Sequence, residues 1–319
     1  MPLVMIDHTS IPPQLPDSVC CVGYFDGLHK GHQLLFEKTF QIAKKKHLSS
    51  GVILFDPDPW TLFHPDVAMD HLTPLEKRLS MLTELGFQQI YVLQFTKSFA
   101  ALSIKEFHDL LYKMNVKFLI CGKDFHYAAK NSGDYISLKE DGRFEVIGLE
   151  PYMETANQKI SSSTIESYIK QGKIAQANQL LGHMYSIDGI VEKGYQRGTK
   201  LLKIPTANLS FPGDQVIPRI GVYAGYVRID KKYYWAMINI GNNPTFGNQK
   251  ETIEAHILDF NQDIYGKKIR MLFADFIRPE QKFDSIDALK AQLHKDIDTT
   301  KKILSKKSMK DWCFDKTLL

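Results

Sequence analysis

The 319-residue chain is 44% hydrophobic and 24% charged, with a formal net charge of +4. Those values suit a folded chain long enough for two cores and exclude a disordered one. The small positive excess is a weak bias toward anionic ligands and falls short of the basic footprint of a nucleic-acid binder, so no nucleic-acid partner is expected.

The start, Met1 to Asp7, has neither the charged region nor the long apolar core of a signal peptide, and no run of about 18 apolar residues follows anywhere. No membrane association is therefore expected. The first strong element is Val19–Tyr24, an apolar strand that breaks on glycine. Gly23 and Gly27 let backbone approach a ligand, and a helix is predicted over Gln33–Lys46. His29 and His32 then fall at a helix N-terminus, where free N–H groups and the helix dipole favour a phosphate. Histidines three apart also suit zinc, but no Cys, Asp or Glu lies at ligand spacing nearby. Lys44, Lys45 and Lys46 end that helix as a solvated basic turn.

Further strands are predicted at Gly51–Phe55, Gln89–Phe95, Lys117–Cys121 and Phe144–Leu149, with helices at Pro74–Leu85, Ser103–Met114 and Ser162–Leu181. The alternation predicts a mainly parallel α/β sheet over residues 1–183, with ligands bound beyond the carboxyl ends of its strands. Gly23–His32, the Phe55-Asp-Pro-Asp-Pro59 turn and Gly122–Phe125 are the loops expected there. Cys20, Cys21, Cys121 and Cys313 have no paired spacing, and the first three lie in apolar strands, which predicts reduced thiols and a cytoplasmic location.

From Tyr185 the period changes. Strands are predicted at Tyr185–Glu192, Thr206–Ser210, Gly221–Ile229, Tyr233–Ile240, Thr252–Leu258 and Lys268–Arg278, then an amphipathic helix over Ile286–Leu304. This second domain, 184–319, reads as a small antiparallel β-barrel with a C-terminal helix. Thr206 and Asn208 are two apart on a strand and share a face, where a hydroxyl and an amide oxygen can hold a hard cation, or simply complete a turn after Pro205. Glu254 is a carboxylate in an otherwise mostly apolar strand, placed to act as a base or to be solvated.

Together these segments resemble the bacterial bifunctional riboflavin kinase/FAD synthetases over nearly the whole chain. Gly23-Tyr-Phe-Asp-Gly-Leu-His-Lys-Gly-His32 is similar to the family's nucleotidyltransferase signature, and Ile160-Ser-Ser-Ser-Thr-Ile165 to its serine-rich motif. Pro205-Thr-Ala-Asn208, Gly221-Val-Tyr223, Asn239-Ile-Gly241 with Pro244-Thr-Phe246, and Ile253–Phe260 resemble its riboflavin-kinase module. The resemblance implies a Rossmann-like nucleotidyltransferase domain that moves AMP from ATP to FMN, making FAD, and a barrel that phosphorylates riboflavin to FMN with ATP and Mg²⁺.

It also implies roles. His29 and His32 would hydrogen-bond phosphates; Gly23, Asp26 and Gly27 would shape the adenine and ribose edge, with Phe25 among the nucleotide-binding positions; Asp124 would line the facing loop. Ser161, Ser162 and Ser163 would hold the departing pyrophosphate. Glu254 would take the riboflavin hydroxyl proton, Thr206 and Asn208 would hold Mg²⁺, and Gly194 and Gly198 would form a flap over the nucleotide.

Departures from the family pattern cluster in the first domain. Glu166 stands where the family's serine motif ends in arginine, a loss worth about 10- to 150-fold if that arginine makes one charged hydrogen bond. Glu166 and Lys170 are also spaced for a surface ion pair. Asp58 replaces a common histidine, and Ala128 a glycine, so the loop around Ala128 is expected to close differently. Lys203 occupies an expected glycine. A riboflavin kinase with a silent first domain and, more distantly, a non-catalytic flavin binder are the competing readings.

Overall fold

The computed structural model describes residues 3–67, 69–155, 158–192, 206–243 and 250–307. Gly194, Gly198, Lys203, Pro205, Pro244 to Phe246 and Cys313 lie outside them. Two compact units divide between Ser162 and Ser163.

The first unit is built on six parallel strands: β1 (Leu3–Ile6), β2 (Ser18–Val22), β3 (Ser49–Asp56), β4 (Gln89–Gln94), β5 (Val116–Gly122) and β6 (Glu145–Leu149). Their order is β1-β4-β3-β2-β5-β6. Chain order reverses between β2 and β5, which leaves a crevice beyond their carboxyl ends. β2 is buried at all five positions and β3 at six of eight, as strands covered on both faces require. The helices are α1 (Lys30–Lys46), α2 (Pro59–Phe63), α3 (Leu75–Glu84), α4 (Lys97–Ala100), α5 (Ile104–Lys113) and α6 (Tyr135–Glu140). A short antiparallel pair follows, β7 (Met153–Thr155) with β8 (Gln158–Lys159).

α1 starts three residues earlier than its apolar period suggests. His29 is its N-cap, and its ring Nδ1 accepts the His32 N–H at 3.4 Å. The predicted helix over Ser162–Leu181 is two helices, α7 (Ser162–Lys170) and α8 (Ile174–Leu181). They are separated at Gly172, whose φ of 79° is the left-handed turn that ends a helix. α7 begins at the division between the units.

The second unit is a closed barrel in the order β10-β13-β12-β11-β14-β9. Its strands are β9 (Ser186–Glu192), β10 (Ala207–Ser210), β11 (Gly221–Ile229), β12 (Lys232–Asn243), β13 (Lys250–Ile257) and β14 (Lys268–Arg278). Closure removes sheet edges, the usual hazard of antiparallel folds. The last helix, α9 (Ile286–Leu304), is capped by Ser285. Leu304 packs with Met184, Ala224, Tyr226, Leu272 and Ala274. Arg278 at the end of β14 holds Asp296 of α9 through its Nε and Nη2 at 2.8 to 3.1 Å, and Asp296 is fully enclosed. α8 is fastened by Asn178, which donates to the Phe273 carbonyl at 2.8 Å and accepts the Tyr185 N–H at 2.7 Å.

Candidate active sites

A cavity of about 370 Å³ lies in the first unit at the β2/β5 crevice. β2 ends there in Val22 and Gly23, β5 in Gly122, and β6 leads in through Leu149 to Tyr152. Gly23, Phe25, His29, His32, Asp124, Ser161 and Ser162 all line it, so seven expected residues from three distant segments meet. Gly23 packs closely on Phe25: a Cβ there would sit 3.0 Å from the Phe25 ring, so the ring would have to give by a few tenths of an ångström.

The His29 and His32 rings stack at 3.6 Å between centroids. Burial, the neighbouring His29, and the charges of Arg78 and Lys159 hold His32 well below its ordinary value, so it is a neutral imidazole near pH 7. Its Nδ1 is buried with no protein partner, an orphan polar atom of the kind a ligand satisfies.

Asp26 and Gly27 are not among the lining residues. The Asp26 carboxylate accepts from the N–H groups of Leu72 and Thr73 at 3.0 and 2.8 Å and from the Thr73 hydroxyl at 2.9 Å, while Thr73 Oγ1 accepts the Gly27 N–H at 2.8 Å. Arg78 lies 3.7 Å from Asp26 and donates to the Tyr24 and Thr73 carbonyls at 2.7 and 3.0 Å. These two positions thus brace the loop beneath the histidines. Ser162 Oγ ties the serine motif to it by donating to the Asp26 carbonyl at 3.1 Å. Ser163, one step on, is exposed and does not line the cavity.

The facing loop is braced by its own contacts. Asp124 folds back over Gly122, leaving no space for a Cβ there. Phe125 lies parallel to Tyr127 at 5.8 Å, and the Tyr127 hydroxyl bonds His108 Nε2 at 2.6 Å and Ser137 at 2.9 Å. Ala128 adopts φ 63°, ψ 179°, the glycine-like backbone, so this loop takes the turn despite the alanine. Glu166 pairs with Lys170 at 2.7 Å, as the i, i+4 spacing suggested. Phe55-Asp-Pro-Asp-Pro59 does not line the cavity; Asp58 is buried and caps α2, its carboxylate accepting the Trp60 N–H at 2.6 Å. Phe125, in the expected Gly122–Phe125 loop, lines the cavity too, as do Lys159 and Tyr152, whose sequence signals were weak: single residues outside any motif.

In the barrel, strand register does the assembling. Glu254 on β13 lies opposite Asn208 on β10 and Asn239 on β12, which aligns three polar side chains on one face. The Thr206 hydroxyl hydrogen-bonds Glu254, while burial pushes the Glu254 carboxyl above its ordinary value, the larger of the two effects. Their neighbours Ala207 and Ala255 face the other way, into a cavity of about 440 Å³ with Val191, Ile257 and the Phe260–Tyr265 segment. Thr206 lines that cavity and touches Glu254, joining the polar row to the hollow.

Family models match both units: FAD synthetase over residues 11–164 and riboflavin kinase over 181–304. The bifunctional riboflavin kinase/FMN adenylyltransferase of Listeria monocytogenes is 38% identical over 91% of this chain and 93% of its own, and that of Bacillus subtilis 36% identical over 91% and 93%. The chain belongs to the bifunctional riboflavin kinase/FMN adenylyltransferase family. The Escherichia coli relative is 36% identical over 89% and 92%. A solved structure described as a macrolide-efflux protein from Streptococcus pneumoniae is 35% identical, with a TM-score of 0.85 over 94% of this chain and 98% of that one. Its fold is shared; the efflux description belongs to that protein, and among the described residues here no helix is long and apolar enough to cross a membrane. As a family member the chain is a two-module transferase that uses ATP and makes FMN from riboflavin and FAD from FMN.

Proposed function

We propose that FMN is adenylylated in the β2/β5 cavity and riboflavin is phosphorylated beside the Thr206–Asn208–Glu254 row. The observation that carries the first assignment is the meeting of His29, His32, Ser161 and Ser162 at the point where the sheet order reverses. An FMN phosphate oxygen attacks the α-phosphorus of ATP and pyrophosphate leaves, a direct transfer that needs no protein nucleophile. The chain's part is positioning and charge. His32, as a neutral ring, and His29 hydrogen-bond phosphate oxygens, and the hydroxyls of Ser161 and Ser162 hold the departing pyrophosphate. Phe25 and Gly23 form the wall against the nucleoside, and Asp26 and Gly27 keep that wall in place.

In the barrel the riboflavin 5′-hydroxyl attacks the γ-phosphorus, its proton passes to Glu254, and ADP leaves. Thr206 and Asn208 offer neutral oxygen donors next to a carboxylate. That donor set fits Mg²⁺, which is usually held by few protein groups together with substrate phosphates. Once bound, Mg²⁺ would neutralise phosphate charge. We take the nucleotidyltransferase module to run over 1–183 and the kinase module over 184–319, a boundary later in the chain than the division of the compact units after Ser162. Cytoplasmic location is supported by the buried thiols of Cys20, Cys21 and Cys121, all free.

Product chromatography after incubation with ATP and Mg²⁺, given riboflavin in one tube and FMN in another, tests the site assignment. His32→Asn is expected to stop FAD formation from FMN, and Glu254→Gln to slow FMN formation from riboflavin by about 10²- to 10⁴-fold. Loss of both products in either variant, or of neither, contradicts it.

A further inference from the structure

The first unit contains a buried polar chain that the adenylyl transfer described above does not use. His108 of α5 and Tyr127 are 4% and 5% exposed, and Tyr127 sits in an apolar cluster with Phe107, Leu138 and Phe144. The His108 ring bonds on both sides: Nδ1 meets the Asp141 carboxylate at 2.9 Å and Nε2 the Tyr127 hydroxyl at 2.6 Å. Arg143 grips Asp141 through Nε and Nη2, both at 2.7 Å, and holds its carboxyl down to about 2. The carboxylate is therefore ionised, and His108 Nδ1 is the donor to it. Tyr127 reaches on to Ser137 Oγ of α6 at 2.9 Å. Two helices thus fix one phenol.

A buried hydrogen bond adds little net stability over an apolar pair of the same shape, yet it holds a single geometry. Here it holds the support of a cavity wall. The Tyr127 ring lies over Gly133, where a Cβ would collide with it, and is within 15° of parallel to Phe125 at 5.8 Å. Phe125 lines the β2/β5 cavity, whereas His108, Tyr127 and Asp141 do not. The loop needs an anchor at this point: Ala128, Lys130 and Asn131, just beyond, sit at φ 63°, 55° and 56°, a backbone that residues other than glycine keep only where their surroundings over-determine it.

Resting on the assignment of this cavity to adenylyl transfer, we infer that His108, fixed by Asp141, is a positioning residue for FMN: through the Tyr127 hydroxyl it sets the plane of Tyr127, and through that ring the plane of Phe125, the face offered to the isoalloxazine. With adenosine against Gly23 and Phe25 at the end of β2, the β5 side of the crevice, where Phe125 stands, is the side left to the flavin. The polar chain acts by keeping one flat surface at a fixed angle, so that stacking there needs no ordering of the loop when FMN binds.

The test is steady-state FAD synthesis by the full chain, with thermal unfolding of the same preparations. Tyr127→Phe, which keeps the ring and removes the hydroxyl, and His108→Leu are each expected to raise KM for FMN by about 2- to 10-fold, the worth of one buried hydrogen bond, with KM for ATP unmoved. Tyr127→Phe also leaves His108 Nε2 buried without a partner and lowers the unfolding temperature. Combining it with His108→Leu removes that orphan, so the double variant is expected to regain stability while its KM for FMN stays raised. A merely structural pair would recover both. An unchanged KM for FMN in the two single variants overturns the inference, and so does its return to the native value in the double variant or an equal rise for ATP. His32→Asn separates the two layers: if it leaves FAD synthesis intact, the cavity assignment falls; if it abolishes FAD synthesis while Tyr127→Phe leaves KM for FMN unmoved, the positioning role alone falls.

Discussion

Glu254→Gln should make the kinase slower and the barrel more stable at the same time. Glutamine has the size of glutamate and keeps a group that can meet the Thr206 hydroxyl, with Asn208 and Asn239 still opposite in register. What it removes is the proton acceptor. General base catalysis is worth about 10²- to 10⁴-fold, or roughly 3 to 5.5 kcal/mol of barrier, and that is the expected loss in kcat, with riboflavin binding retained.

The stability sign is opposite. Burial raises the folded Glu254 pKa above its ordinary 4.5. Below pH 4.5 the carboxyl is neutral in both states. As pH rises, the unfolded chain ionises first, so stability is lost between 4.5 and the raised value and stays lost above it. A glutamine escapes that loss, and the variant should unfold at higher temperature than the native chain at pH 7 but not at pH 4. Native kcat should also fall as pH drops through the raised value, a limb absent from the variant's residual turnover. FMN formation followed by chromatography and thermal unfolding at the two pH values measure both effects. Native turnover by the variant, or a variant less stable than the native chain at pH 7 alone, would refute the reasoning.

Ala128→Gly should stabilise the first unit: a non-glycine residue at φ 63°, ψ 179° carries about 1–3 kcal/mol of strain, offset by the 0.4–1 kcal/mol or so that glycine adds to unfolded-chain entropy, and urea titration reads the net gain. Asp296→Ala leaves Arg278 without its buried partner and should cost the barrel about 3–5 kcal/mol, seen as loss of kinase activity at lower temperature than in the native protein. Because His32 is held neutral when folded yet protonates near 6.5 when unfolded, the first unit should lose stability as pH falls below 6.5; the His32 ring proton signals should not titrate between pH 8 and 6.

Much of this was legible because the strands follow simple periods. The barrel strands were expected to within a few residues, and both the apolar run Val19–Val22 of β2 and the caps of α5, Ser103 with Glu106, are local signals. β1 was missed because a four-residue edge strand with Leu3 and Met5 exposed has no distinguishing pattern. The split of the long helix was missed because the apolar stripe runs on through Ile165, Ile169 and Ile174 while one glycine turns the backbone.

The two candidate sites differ in how sequence encodes them, and the difference is physical. At the β2/β5 cavity the phosphate-facing groups come in contiguous motifs, because a helix N-terminus or a glycine turn presents successive backbone groups to one ligand; Gly23 to His32 and Ser161 to Ser162 could be found on that ground. Asp26 reads as part of the motif but engages both carboxylate oxygens with Leu72 and Thr73, 46 and 47 residues away, a partnership that no local pattern announces. In the barrel, alternation puts Thr206 and Asn208 on one face, but only register brings Glu254 and Asn239 beside them, and register is a long-range choice between strands.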